Sequence, residues 1–155
     1  MTGAVPFSST FNASAAIEVA GTKTPAPVGS NCAEYANGFD QSAQNGGGKG
    51  FDAPEVQSAK VNHHSVFVSV SMATGYAGPG TYDSRRNSSL GGYASRDVDN
   101  PSGVETTTFS SSIHGLTTLT VNPDGSGALD VIGWGTTEVH GLATISASIT
   151  WICKQ

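Results

Sequence analysis

The stretch 138–153, EVHGLATISASITWIC, decides the fold. Val139, Gly141, Ala143, Ile145, Ala147, Ile149, Trp151 and Cys153 fall on one side at period two, while Glu138, His140, Thr144, Ser146 and Ser148 fall on the other. Successive side chains of a strand point to opposite faces, so this pattern predicts a strand with one dry face and one wet face. An earlier stretch, SIHGLTTLTV at 112–121, echoes it. There Ile113, Leu119 and Val121 are expected to point inward, which turns His114 outward, as His140 is in the later copy.

Working outward, NPDGSG at 122–127 is the strongest turn signal in the chain. A loop over 123–127 would set Val121 opposite Leu129 and Leu119 opposite Val131, keeping apolar side chains together. A second turn at GTT (135–137) would set Trp134 opposite Glu138 and Ile132 opposite His140. In that meander the two histidines lie on outer strands about 9–10 Å apart, whereas a shared metal needs each nitrogen within about 2.1 Å. The repeat therefore reads as one strand pattern used twice. The same register gathers Leu116, Ile132, Trp134, His140 and Leu142 on the outward face, an apolar patch of the kind that marks a binding surface. The alternative is that the Gly-rich segment around 40–55 folds over and covers them.

Elsewhere, VNHHSVFVSVSMATGY (61–76) is the clearest middle strand, with Val66, Val68, Val70 and Met72 on one face and Ser65, Phe67, Ser69 and Ser71 on the other. STFNASAAIEVAG (9–21) reads as one half-buried strand, and AGPGTYD (77–83) as a turn and a strand edge, where Pro79 excludes a central ladder position. Four glycines within 46–50 predict a long flexible loop, or a short strand plus a loop. With turns at this spacing, about seven or eight strands and no helix are expected in a single all-β domain over 1–155, an antiparallel sandwich.

Composition agrees. Only 12% of the 155 residues are charged, against about 25% in ordinary soluble domains. The net charge is −5 with seven Lys and Arg, which argues against nucleic acid, since phosphates demand a concentrated basic surface. No apolar run reaches the roughly 20 residues of a membrane span.

Candidate chemistry is sparse. His63 and His64 are neighbours on a strand and face opposite ways, so they do not share an ion without a bulge. Asp97, Asp99 and Asn100 sit in RDVDNPSG, read as a loop, without the glutamate or spacing of an EF-hand. No nucleophile motif appears, and no paired carboxylates suited to glycoside hydrolysis. Neither a catalytic residue, a resident metal nor a cofactor is expected. Tyr76, Tyr82 and Tyr93 either staple loop ends or stack on sugars. The chain has two cysteines, Cys32 and Cys153; a disulfide is expected from a composition of extracytoplasmic type, with a free pair as the alternative. The opening Met-Thr-Gly-Ala lacks a signal peptide's basic and apolar regions, which reads as a leader replaced by an initiator methionine, or as a leaderless protein.

At GPGTY (78–82), TLTVNPDGSGALDV (118–131) and SASITWIC (146–153) the chain resembles small secreted or lipid-anchored β-sandwich proteins of bacterial cell envelopes. The resemblance covers about residues 60–153 and implies an Ig-like sandwich, a surface location and a bridge from Cys153 to Cys32. It carries no catalytic residues across, and the lipid-attachment cysteine of such proteins has no counterpart here. The expected function is a non-catalytic binding domain at the cell surface with an unidentified protein or glycan partner. The alternatives are a self-associating envelope subunit, a His-based metal binder and a carbohydrate-binding module.

Overall fold

The computed structural model describes residues 7–13, 18–22, 31–40, 47–61, 64–100, 103–113, 115–136 and 144–153. Strands β1 (Phe7–Ala13) and β2 (Glu18–Thr22) precede helix α1 (Cys32–Ala36). Then follow β3 (Phe39–Asp40), β4 (Lys49–Asp52), β5 (Val56–Val61), β6 (His64–Met72) and β7 (Gly80–Asp83). The remainder is β8 (Leu90–Asn100), β9 (Gly103–Ser110), β10 (Leu116–Val121), β11 (Gly127–Gly135) and β12 (Thr144–Cys153).

The strands form two antiparallel ladders. One runs β2-β1-β12-β11-β10-β7, with β12 central between β1 and β11. The other runs β9-β8-β6; β4 and β5 share the far side of β6, and β3 continues from β4. The ladders meet where Gly135 of β11 pairs with Ser110 of β9. The apolar sides of both feed one core: Val66, Val68, Val70 and Met72 from β6, Leu119 and Val121 from β10, Leu129 and Val131 from β11, and Ile145, Ile149 and Trp151 from β12. The face of the closing strand expected to be dry is buried from Ile145 to Trp151, with Cys153 at its end half-buried. The β-branched valines of β6 suit a strand paired on both sides.

Cys32 and Cys153 are joined, with Cα atoms 5.8 Å apart, within the span a disulfide requires. The NPDGSG turn is built onto this bridge. Asn122 N–H donates to the Ser126 carbonyl at 2.8 Å and Gly125 N–H to the Asn122 carbonyl at 2.9 Å. Gly125 has φ +82°, and a Cβ there would lie 2.8 Å from the Cys32 carbonyl oxygen and 3.1 Å from Cys153 Cβ. Its own carbonyl accepts the indole N–H of Trp151 at 2.9 Å. Only glycine satisfies both the left-handed backbone and that proximity.

Several expectations are corrected. A helix does form: Asn31 caps α1 by accepting from Glu34 N–H at 2.9 Å, and Gly38 (φ +77°) follows its end. Of the two readings of the Gly-rich segment, the short strand is the one found: Gly50 and Phe51 of β4 are buried and Phe51 lies opposite Met72. The stretch 9–21 is not one strand. Its described residues belong to two, β1 and β2, paired antiparallel from Asn12–Glu18 to Ser9–Thr22, and 14–17 lie outside the described residues. RDVDN belongs to β8, which continues to Asn100 and puts Asp97 opposite Thr106. Twelve strands stand among the described residues, more than the expected seven or eight.

Candidate functional site

Two outward faces carry residues able to meet a partner, one on each ladder. On the β10–β11 face, Leu116 and Ile132 are direct register partners and are 37% and 56% exposed. The β10–β11 register nevertheless differs from the one expected. Leu119 faces Leu129 and Val121 faces Gly127, because the turn closes between Asn122 and Ser126. A two-residue shift returns every side chain to its own face, so the apolar pattern alone does not distinguish the two registers.

Trp134 does not belong to this face. It is wholly buried, and its indole N–H donates to the buried Thr117 hydroxyl at 3.0 Å. The cause is a bulge: between Val131–Ala147 and Trp134–Ile145, β11 spends three residues where β12 spends two. Gly133, at φ +65°, is the residue that permits it. Its N–H donates to Ser146 Oγ at 2.9 Å. Gly115 lies against the bulge; a Cβ on it would meet the Ile132 oxygen at 2.5 Å and the Gly133 carbonyl carbon at 2.7 Å. Trp134 pairs with Ile145 and Gly135 with Thr144, so the expected pairing of Trp134 with Glu138 does not form. His140 and Leu142, with His114 and His63, lie outside the described residues. Ile113, expected inside, is 45% exposed in the turn after β9. No covering segment lies over Leu116 and Ile132 among the described residues, given their exposure.

The second face belongs to β6, β8 and β9. Tyr93, 49% exposed, sits in β8 opposite Ser69 of β6 and Ser110 of β9. Its ring lies 5.4 Å from that of Phe67 at an interplanar angle of 31°. Ser69 donates to Glu55 Oε1 at 3.3 Å, and Asp52 lies opposite Ser71 at the β4 side. Burial, reinforced by the nearby Glu55 charge, raises the Asp52 carboxyl above the usual aspartate value.

The three tyrosines divide. Tyr76 is buried, stacked 4.9 Å from Phe51 and 5.1 Å from Tyr82, and its hydroxyl donates to the Ala36 carbonyl. Burial pushes that hydroxyl well above the ordinary tyrosine range. Tyr82 accepts from Ala77 N–H at 2.9 Å and donates to the Gly78 carbonyl at 2.6 Å. These two staple loops, leaving Tyr93 alone of the trio with a broadly exposed ring. Its signal in the sequence was the pair Phe67, on a face otherwise made of serines, and Tyr93, between Gly91 and Ser95 on its own; no local pattern says that β6 and β8 are neighbours.

Among the described residues no group of three His, Cys, Asp or Glu side chains is placed to hold a metal ion, and no helix is long and apolar enough to cross a membrane. No family model, curated protein or solved structure matches the chain.

Proposed function

We propose that the chain is a non-catalytic binding domain working in an oxidising space outside the cytoplasm, at a cell surface. The observation that carries the reading is the Leu116–Ile132 pair, two large apolar side chains left in water side by side on a hydroxyl-rich sheet. Threonine would serve the strand as well there, and adjacent exposed aliphatics are retained where something covers them. The Cys32–Cys153 bridge supports the compartment, because disulfides persist where thiols are not kept reduced.

The test is binding of labelled, disulfide-bonded protein to intact cells of the source organism, for wild type and for Leu116→Asp with Ile132→Asp. Binding is expected to fall about tenfold or more with melting unchanged. Equal binding by the double variant overturns the reading.

A second reading, a self-associating envelope subunit, draws on Ile152, 63% exposed near the other end of the same ladder. Two unlike apolar patches are what a head-to-tail contact requires. A mass that rises with concentration in size-exclusion chromatography, and ceases to rise in the double variant, favours this version.

A further inference from the structure

We propose that the outward face around Tyr93 and Phe67 is a shelf for an uncharged glycan, bound by stacking of a sugar ring on the aromatic pair. The site goes beyond the contact face above and lies on the other ladder. Three observations select this occupant.

The first is ring geometry. The two rings stand 5.4 Å apart and only 31° from coplanar, with Tyr93 half in water. That is a shallow platform rather than a cage with crossed walls, so it suits the flat C–H face of a sugar better than a compact ammonium group. The second is the frame. Ser69 and Ser110 flank Tyr93 on its two neighbouring strands, and Ser110 is in hydrogen-bond contact with Ser112 at 2.8 Å. Hydroxyls that both donate and accept are the complement of a polyol. The third is charge. Three carboxylates, Asp52, Glu55 and Asp97, lie on this side of the ladder, against one lysine, Lys60, that the register places opposite Ser65. They accept hydrogen bonds from sugar hydroxyls and repel phosphates and uronates, so nucleobase stacking and acidic glycans are disfavoured.

A peptide strand is disfavoured for a separate reason. β8 is paired on both sides, by β6 and β9, so the ladder at Tyr93 offers no free edge to extend. The same double pairing holds the ring's backbone in place before a ligand arrives, which lowers the entropy lost on binding.

The test is native affinity electrophoresis of the whole oxidised chain. Gels are cast with dextran, galactomannan, xyloglucan or a soluble β-1,3-glucan, and one with polygalacturonate. At least one uncharged polymer is expected to retard the wild type. The apparent affinity should fall about tenfold in Tyr93→Ala and stay within about twofold in Tyr93→Phe, which keeps the ring. If alanine lowers the melting temperature, Tyr93→Thr retains strand propensity and takes its place with the same expected loss. Retardation by none of the uncharged polymers, by polygalacturonate alone, or equally for wild type and the ring-less variant overturns the proposal. Cell binding that survives Tyr93→Ala but not the Leu116/Ile132 double variant separates this shelf from the contact face.

Discussion

β6 and β11 are both nine residues long and both send apolar side chains into the same core, yet only β6 keeps its phase from Val66 to Met72. In β6, Val66, Val68, Val70 and Met72 are buried without interruption, and the residues between them are half-exposed. β11 buries Leu129 and Val131, exposes Ile132, and then brings Trp134 inside three residues after Val131. The difference lies in one left-handed glycine. A residue that accepts positive φ adds a step to one strand, and everything beyond it changes face. The bulge thus brings Trp134, one of two buried tryptophans, into the core, while Ile132, just before it, keeps the outward place that alternation gives it beside Leu116.

The largest expected effect is at the start of β11, where Gly125 and Trp151 rest on the disulfide while β6 has no such tether. The bridge spans 121 residues of sequence, and closing a loop of that order stabilises by about 4–5 kcal/mol on the chain-entropy account. Reduction, or Cys32→Ser with Cys153→Ser, should lower the denaturation midpoint accordingly, measured by urea melts with and without reductant. Next comes Trp134→Ala, expected to destabilise by about 3–5 kcal/mol because it opens a cavity and strands the Thr117 hydroxyl; a change below about 1 kcal/mol would put the indole back on the surface.

Gly133→Val tests the bulge itself. A β-branched residue at φ +65° is strained, by about 1–3 kcal/mol, and the same substitution should shift the Trp134 fluorescence toward a wetter environment. Smaller again is a matched pair of threonine substitutions. Val70→Thr in β6 should destabilise by about 1–3 kcal/mol, through an unsatisfied hydroxyl in the core, while Ile132→Thr in β11 should change stability by less than about 0.5 kcal/mol. The smallest effect concerns Asp52, beside β6. Its folded-state carboxyl is raised by burial and by Glu55, so the protonated form is favoured in the fold and stability falls as pH rises through that raised value. Asp52→Asn should therefore melt slightly higher than wild type at neutral pH, and the gap should close as pH falls below the usual aspartate value.

Much of the fold was legible where alternation ran unbroken. The faces of β6 and β12 follow from period, a turn within NPDGSG from residue type though not its register, and the disulfide was expected from composition. Three features were not. The bulge at Gly133 was hidden because a glycine inside a strand pattern reads equally as a weak strand residue or as an extra step. Helix α1 is too short for periodicity, although Asn31 followed by Glu34, with Asn37-Gly38 at the end, is a start and stop signal. Phe51 belongs to the core despite its glycine-rich approach, because burial at one anchor residue outweighs local composition. Of the five residues assigned to a contact face, Leu116 and Ile132 lie outward, Trp134 does not, and His140 and Leu142 fall outside the described residues. The aromatic shelf depended on which strands become neighbours, a long-range fact that period two does not contain.

The position of β12 carries one further consequence. It is held between β1 and β11, and its cysteine is bridged to the segment that follows β2. Until the ribosome has delivered Trp151 and Cys153, β1 and β11 each lack a shared neighbour, and contacts so distant along the chain form slowly. The Cys32–Cys153 bridge therefore pins in place the strand that two others share, so its loss is felt on both sides of β12.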